Sequence, residues 1–498
     1  MTVDTPVWAR DAIFYQIFPD RFAPSERVLK PGHLEPWDAP PTHTGFKGGD
    51  LRGIAEQLDY LDDLGINALY LTPIFQSASN HRYHTYDYFE VDPLLGGNDA
   101  LRELLDAAHG RGMRVVLDGV FNHTGRGFWP FHHILETGAT SPYRDWFVLD
   151  QGRLDAGLPL VAYPAADGPQ HSQGYAAWWG LAALPKLNTD HPEVREYIFS
   201  VAEFWLQRGI DGWRLDVPQE IDDEGFWQEF RRRCRAIRPD AYLVGEIWDV
   251  APDWLRGDRF DAVMNYPLGE AILSLAGGSH LDMDVVAQHD MYAHGIYPHD
   301  AAEFQRRVEG LAAAYDPDVV AVQLNLLGSH DAPRMRTVLG DLAGVRLATL
   351  IQATLPGAPC VYYGDEVGMH GGVDPANRGG FPWDEARWEP GLRDGVRAVL
   401  RARGTEPALR DGPVRFLRAE GGAVAYERGA GASRFVVAVN AADEPATLEL
   451  PIGDSADGPV RLEPVALPGF GEVAASAAVG GTVTVALAPR SGGLFRIA

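Results

Sequence analysis

Short apolar runs alternate with longer stretches of helical periodicity from Ile13 to about Arg403. Apolar runs bounded by turn signals read as strands buried on both faces, and apolar positions spaced i, i+3, i+4 and i+7 read as helices with one packed face. Strands are predicted on this basis at 13–18, 68–71, 114–118, 213–216, 242–246, 262–264, 320–326 and 360–363. Helices are predicted at 51–64, with Ile54, Leu58, Leu61 and Leu64 on one face, and at 99–111, 192–207, 224–237, 345–354 and 392–403. Pro192 suits a first helical turn, with Asp190 as the cap before it. Eight strands with helices between most of them predict an α/β fold, a (β/α)8 TIM barrel. A doubly wound nucleotide-binding sheet would show a glycine-rich phosphate loop after an early strand, and none is visible.

Two regions break the rhythm. Between Asn122 and about Leu187 the chain is rich in Gly, Pro, His and Trp and shows no helix–strand alternation. An excursion this long within a compact domain points to a small inserted domain, hung on the third strand and over the active face. From about Pro407, short strands at 423–426, 435–439, 446–450, 460–462 and 482–487 are parted by Gly, Asp and Pro turns, which predicts a C-terminal all-β sandwich. The expected division is a barrel formed by 1–121 and 188–406, an inserted domain at 122–187 and a sandwich at 407–498.

Composition narrows the partners. A formal net charge of −26 over 498 residues opposes nucleic acid or an anionic membrane, both of which need a positive surface. A neutral ligand needs no such field. No basic segment followed by an apolar stretch opens the chain, and no apolar run is long enough to span a bilayer. Cys234 and Cys360, in a predicted helix and strand, read as buried thiols and not as a disulfide framework, which points to the cytoplasm.

The chemistry lies at strand ends. Gly212-Trp213-Arg214-Leu215-Asp216, Tyr242-Leu243-Val244-Gly245-Glu246 and Leu326-Leu327-Gly328-Ser329-His330-Asp331 each close an apolar run with an acid. Charge there is costly unless the site uses it, and barrel strands deliver their C-terminal residues to one face. Convergent carboxylates are what glycosidic cleavage requires: Asp216 as nucleophile, Glu246 as general acid and base, Asp331 binding sugar hydroxyls as the ring distorts. Arg214, two residues before Asp216, faces the same way and would keep it ionised.

These runs, together with Asp118-Gly119-Val120-Phe121-Asn122-His123, resemble in order and spacing the four motif regions of the α-amylase family of glycoside hydrolases. Leu184-Pro185-Lys186-Leu187-Asn188, Trp254–Asp258, Phe260–Pro267 and Tyr362–Glu366 are similar to the neopullulanase, cyclomaltodextrinase and maltogenic amylase subgroup. Two features depart from it: the chain begins at the barrel, where the subgroup carries a further N-terminal domain, and Pro218-Gln219 replaces Ala-Asn before Glu220. The resemblance implies a retaining hydrolase of α-1,4-glucans, maltooligosaccharides foremost, with transglycosylation as a side activity, acting as a monomer or homodimer. An isomerase or glucosyltransferase on the same scaffold, trehalose-forming or sucrose-acting, is the nearest alternative, and a silent glycan-binding homologue a further one. By the same resemblance His123 and His330 bind the reacting sugar, Tyr83, His84 and Tyr86 line its subsite, and Asp374 and Arg378 hold the next sugars. Trp178 and Trp179 read equally well as stacking residues or as core. Some family members hold structural calcium near the barrel's start, but Asp20–Glu26 lacks the Asn/Asp cluster, so no metal or other cofactor is expected.

Overall fold

The computed structural model describes residues 3–165, 173–223, 225–431, 433–453, 460–476 and 478–498. Eight parallel strands form the centre: β1 (Phe14–Ile17), β2 (Ala68–Leu71), β3 (Arg114–Gly119), β4 (Gly212–Leu215), β5 (Tyr242–Gly245), β6 (Ala262–Val263), β7 (Leu324–Leu326) and β8 (Ala358–Tyr362). They lie in the order β6-β5-β4-β3-β2-β1-β8-β7. The sheet closes on itself where Met264, just past β6, bridges Leu324 of β7 and the Asn265 amide donates to the Leu324 carbonyl at 2.8 Å. It is a TIM barrel.

The alternation of a strand explains both of its layers. Phe14, Tyr70, Val116, Tyr242, Val244, Leu324 and Cys360 point inward and fill the barrel. Their neighbours Tyr15, Leu69, Leu71, Val115, Leu117 and Leu243 point outward against the helices in a second, larger core. Both faces are therefore dry, and the strands read as unbroken apolar runs.

Three expectations are corrected. The helix at 51–64 is two, Leu51–Glu56 and Leu58–Leu64, broken at Gln57, whose φ of −105° and ψ of 10° leave the helical region. The run at 320–326 is a strand only at Leu324–Leu326, because Pro317–Val320 opens it as a helical turn capped by Asp316. Asp190 does not cap the helix Pro192–Gln207; His191 stands at that position and makes no side-chain cap. The predicted start at Glu224 lies outside the described residues, and its helix runs Phe226–Ile237. Between β6 and β7 the chain adds the helices Tyr266–Gly277 and Ala301–Ala313, which were not anticipated.

The excursion after β3 returns beside its own start: His123 bridges Lys186, Phe147 bridges Leu187, and the Leu187 amide donates to Asn122 O at 3.0 Å. Beyond the helix Pro407–Asp411 come two sheets. One holds β9 (Val414–Glu420), β10 (Ala423–Ala430), β11 (Ser433–Asn440), β13 (Leu462–Pro464) and β16 (Ser491–Ile497), and the other β12 (Ala446–Pro451), β14 (Val473–Ala475) and β15 (Thr482–Leu487). Ala425, Val436, Leu448, Leu450, Val483 and Val485 form the core between them. Among the described residues no helix is long and apolar enough to cross a membrane, and both cysteines are free and buried.

Candidate active site

Parallel strands bring their C-terminal ends to one face, and the predicted acids Asp216, Glu246 and Asp331 lie there together with Asp118. Asp118 lies in β3, Asp216 directly after β4 and Glu246 directly after β5. Arg214, fully buried in β4, joins all three: its Nη1 lies 2.9 Å from Asp118 Oδ1 and 3.0 Å from Asp216 Oδ1, and its Nη2 2.9 Å from Glu246 Oε2. Tyr70 and Tyr83 donate to Asp118 Oδ2 at 2.7 and 2.9 Å. One guanidinium thus fixes a cluster of three carboxylates.

Glu246 has two further donors, the Val217 amide at 3.1 Å to Oε2 and the Trp248 indole at 3.2 Å to Oε1. Val217 has φ 35° and ψ 54°, a left-handed conformation that a β-branched residue adopts only under constraint. The constraint turns the amide that follows Asp216 toward Glu246. The Trp248 ring lies flat on Tyr266, centroids 3.4 Å apart.

Asp331 comes from the loop after β7 and is ordered by a relay. Gln16 of β1 donates to His330 Nδ1 at 2.7 Å, which leaves the proton on Nε2, 3.0 Å from Asp331 Oδ2. The Tyr83 hydroxyl also meets His330 Nε2, and the two rings lie parallel within 6°. Arg378 donates to the His330 carbonyl at 2.8 Å and to Asp331 Oδ1 at 3.4 Å, and pairs with Asp374 at 3.0 Å. Asp374, part-exposed, also lies 3.9 Å from His43 Nδ1.

His123 follows β3. Asn122 Nδ2 donates to its Nδ1 at 3.3 Å, so the Nε2 bears the hydrogen, and that atom is buried with no well-formed hydrogen bond among the described residues. His84 stands nearby, edge-on to His81 at 5.0 Å. Tyr86 lies over the backbone of the Gly125–Gly127 turn, so close that a Cβ on either glycine would fall 2.7 Å from its ring. Its contacts are with the inserted segment, whereas Tyr83 faces the acids. Trp178 is half-buried and Trp179 is 80% exposed, so the latter is not core.

Residues 16–396 match the alpha amylase catalytic domain. The chain belongs to the α-amylase family. It is 45% identical over 401 residues to a cyclomaltodextrinase of Geobacillus thermopakistaniensis and 42% over 402 residues to neopullulanase 2 of Thermoactinomyces vulgaris. Each alignment covers 80% of this chain but 63% of the relative's length. Among solved structures, the native form of a Nostoc punctiforme debranching enzyme is 46% identical, with a TM-score of 0.88 and all of both chains covered.

Charge in this α-amylase-family site is set first by burial. Burial raises the proton affinity of Asp216 and Glu246, Arg214 opposes it in both, and the neighbouring carboxylates raise it again. The same burial, resisted by Arg214, pushes Asp118 up to about 6. With several carboxylates around one cation, Asp118, Asp216 and Glu246 titrate together and not as independent groups. Arg214 makes an aligned hydrogen bond to Asp216 and an ion pair with Glu246. The histidines are neutral: burial lowers His123 to about 3, His84 to about 4 and His330 well below the ordinary range.

The sequence reading did not single out Gln16, Tyr70, Asp118, Trp248, Tyr266 or His289, whose Nε2 donates to the Asp331 carbonyl at 3.0 Å. Among the described residues no group of three or more His, Cys, Asp or Glu is placed to hold a metal ion. Asn122 Oδ1 is buried and unpartnered, but a single oxygen is not a calcium donor set.

Proposed function

We propose that this chain is a retaining glycoside hydrolase that cleaves α-1,4-glucosidic bonds in maltooligosaccharides and related α-glucans, cyclodextrins and pullulan among them, with transglycosylation as a side activity. The observation that supports it is the pinning of Asp216 and Glu246 to two nitrogens of one buried guanidinium. A pair held this way is drawn close, as double displacement requires; retaining enzymes space their carboxyls by about 5–5.5 Å. Asp216, ionised against Arg214, attacks the anomeric carbon while Glu246, protonated and held by Val217 and Trp248, protonates the leaving oxygen. Glu246 then takes a proton from the water that hydrolyses the glycosyl ester. Asp331, oriented by His330 and Arg378, binds hydroxyls of the distorting ring, and His123 offers its Nε2 hydrogen to the same sugar. Residence in the cytoplasm and action as a monomer or homodimer complete the reading.

A second reading, cleavage of α-1,6 branch bonds, is favoured by the debranching enzyme that matches over the whole of both chains. Chromatographic product profiles on maltotriose, cyclodextrin, pullulan, starch and sucrose separate the cases. Linear products from maltotriose and cyclodextrin are expected. Release only from branched or α-1,6 bonds would favour the second reading, and action on sucrose alone would overturn both.

A further inference from the structure

We propose that the indole of Trp179 is a stacking platform for a glucosyl unit beyond those at the carboxylates, and that it sets the chain length the site prefers. The inference rests on the α-glucan reading above and assigns a residue that reading leaves idle.

Three ring planes run outward from the site. Trp178 lies parallel to His123, with centroids 6.2 Å apart and 2° between planes, and Trp179 lies on Trp178 at 5.3 Å and 19°. The inner end of the run is His123, whose buried Nε2 makes no well-formed hydrogen bond among the described residues, with only the Tyr83 backbone near the ring as an acceptor, and can turn its hydrogen to a ligand oxygen. At the outer end Trp179 is 80% exposed. A single exposed apolar side chain means little by itself. Here it terminates a stack rooted in the site, and its outer face is uncovered among the described residues.

The local backbone holds the ring in place. Trp179 has φ 51° and ψ 22°, a left-handed conformation unfavourable for a bulky residue. The turn around it is closed by Gly180 N to Ala177 O at 2.9 Å, Leu181 N to Trp178 O at 2.9 Å and Leu184 N to Leu181 O at 2.8 Å. The bridges Ala177–Pro185 and His123–Lys186 tie that turn to the residues after β3. The platform is therefore built rigidly into the wall that carries His123. An aromatic face suits the C–H face of a pyranose, and stacking requires no charge on a neutral glucan.

The test is a steady-state series from maltotriose to maltoheptaose with wild type, Trp179→Ala and Trp179→Phe. The expected signature of Trp179→Ala is a loss in kcat/KM that grows with chain length to roughly 3- to 10-fold, expressed in KM, with Trp179→Phe close to wild type. Should the alanine variant fail to fold, Trp179→Gly, which accepts the left-handed backbone, gives the same series. A loss equal at every length, or none at all, overturns the platform while wild-type turnover leaves the hydrolase reading standing. A wild type that cleaves no member of the series overturns both.

Discussion

At the scale of single residues, the site depends on one cation distributing itself among several acids. Arg214 hydrogen-bonds Asp216 and ion-pairs with Glu246, and the proposed roles of nucleophile and acid divide two carboxyls of similar burial. Asp216→Asn should leave the fold intact and cut turnover on the order of 10⁴-fold, because the covalent step needs an anion. Circular dichroism unchanged with activity down less than about tenfold would contradict the role. Glu246→Gln should be rescued by aryl glycosides with good leaving groups, which depart with little protonation. The pH dependence follows with its sign. In the proposed mechanism Glu246 acts protonated and Asp216 ionised, and burial raises both above their ordinary ranges. Wild-type kcat/KM therefore falls as pH rises through the raised Glu246 range and falls again on acidification as Asp216 takes up a proton. The alkaline limb should vanish in Glu246→Gln assayed with an activated substrate. Burial holds His123 near 3 and His330 well below the ordinary imidazole range, so neither supplies that limb; an alkaline limb that survives the substitution would remove Glu246 from the role.

Individual strands hold these residues to fractions of an ångström, and β4 shows how tightly. A Cβ on Gly212 would fall 2.1 Å from the Tyr242 carbonyl of β5, so only glycine lets the strand that delivers Arg214 and Asp216 sit so near its neighbour. Gly212→Ala should therefore destabilise the barrel by about 1–3 kcal/mol and lower kcat as well, since β4 must shift. Urea unfolding with an unchanged midpoint would show that the strands yield freely. The same scale explains what the sequence could reveal. Ala68–Leu71 and Pro192–Gln207 lie where their patterns predict, because a buried strand and a one-sided helix each leave a clear period. Tyr266–Gly277 was invisible because it is buried nearly all round, which erases the stripe that marks a helix. The acids were legible since charge at the end of an apolar run is conspicuous. Gln16 and Tyr70 sit inside such runs and read as core. Trp248, Tyr266 and His289 come together from separate loops, a proximity that no local spacing records.

Across the whole molecule, the sandwich is joined to the barrel through the negative end of one helix. The helix Leu342–Thr354 points its last carbonyls at two buried arginines. Arg403 donates to Ala353 O at 3.0 Å, Leu355 O at 3.1 Å and Leu409 O at 2.9 Å, and Arg428 of β10 donates to Thr354 O and, at 2.8 Å, to Gly412 O. No carboxylate pairs with either guanidinium among the described residues, so carbonyls at a helix C-terminus, where the macrodipole favours a cation, offset the loss of water. Tyr426, two residues before Arg428 in β10, adds a hydrogen bond between its hydroxyl and that of Thr354 at 2.6 Å. Barrel and sandwich share this junction, so they should unfold in one transition. Arg428→Met keeps most of the buried volume but strands two carbonyls that had charged donors, a loss of about 3 kcal/mol. Calorimetry should then show one endotherm moved to lower temperature, with kcat at 25 °C close to wild type because the acids lie at the opposite ends of their strands from the start of β8 and its Leu355–Gly357 approach. Two endotherms in the wild type, or a variant as stable as it, would mean that the sandwich is attached and not integral.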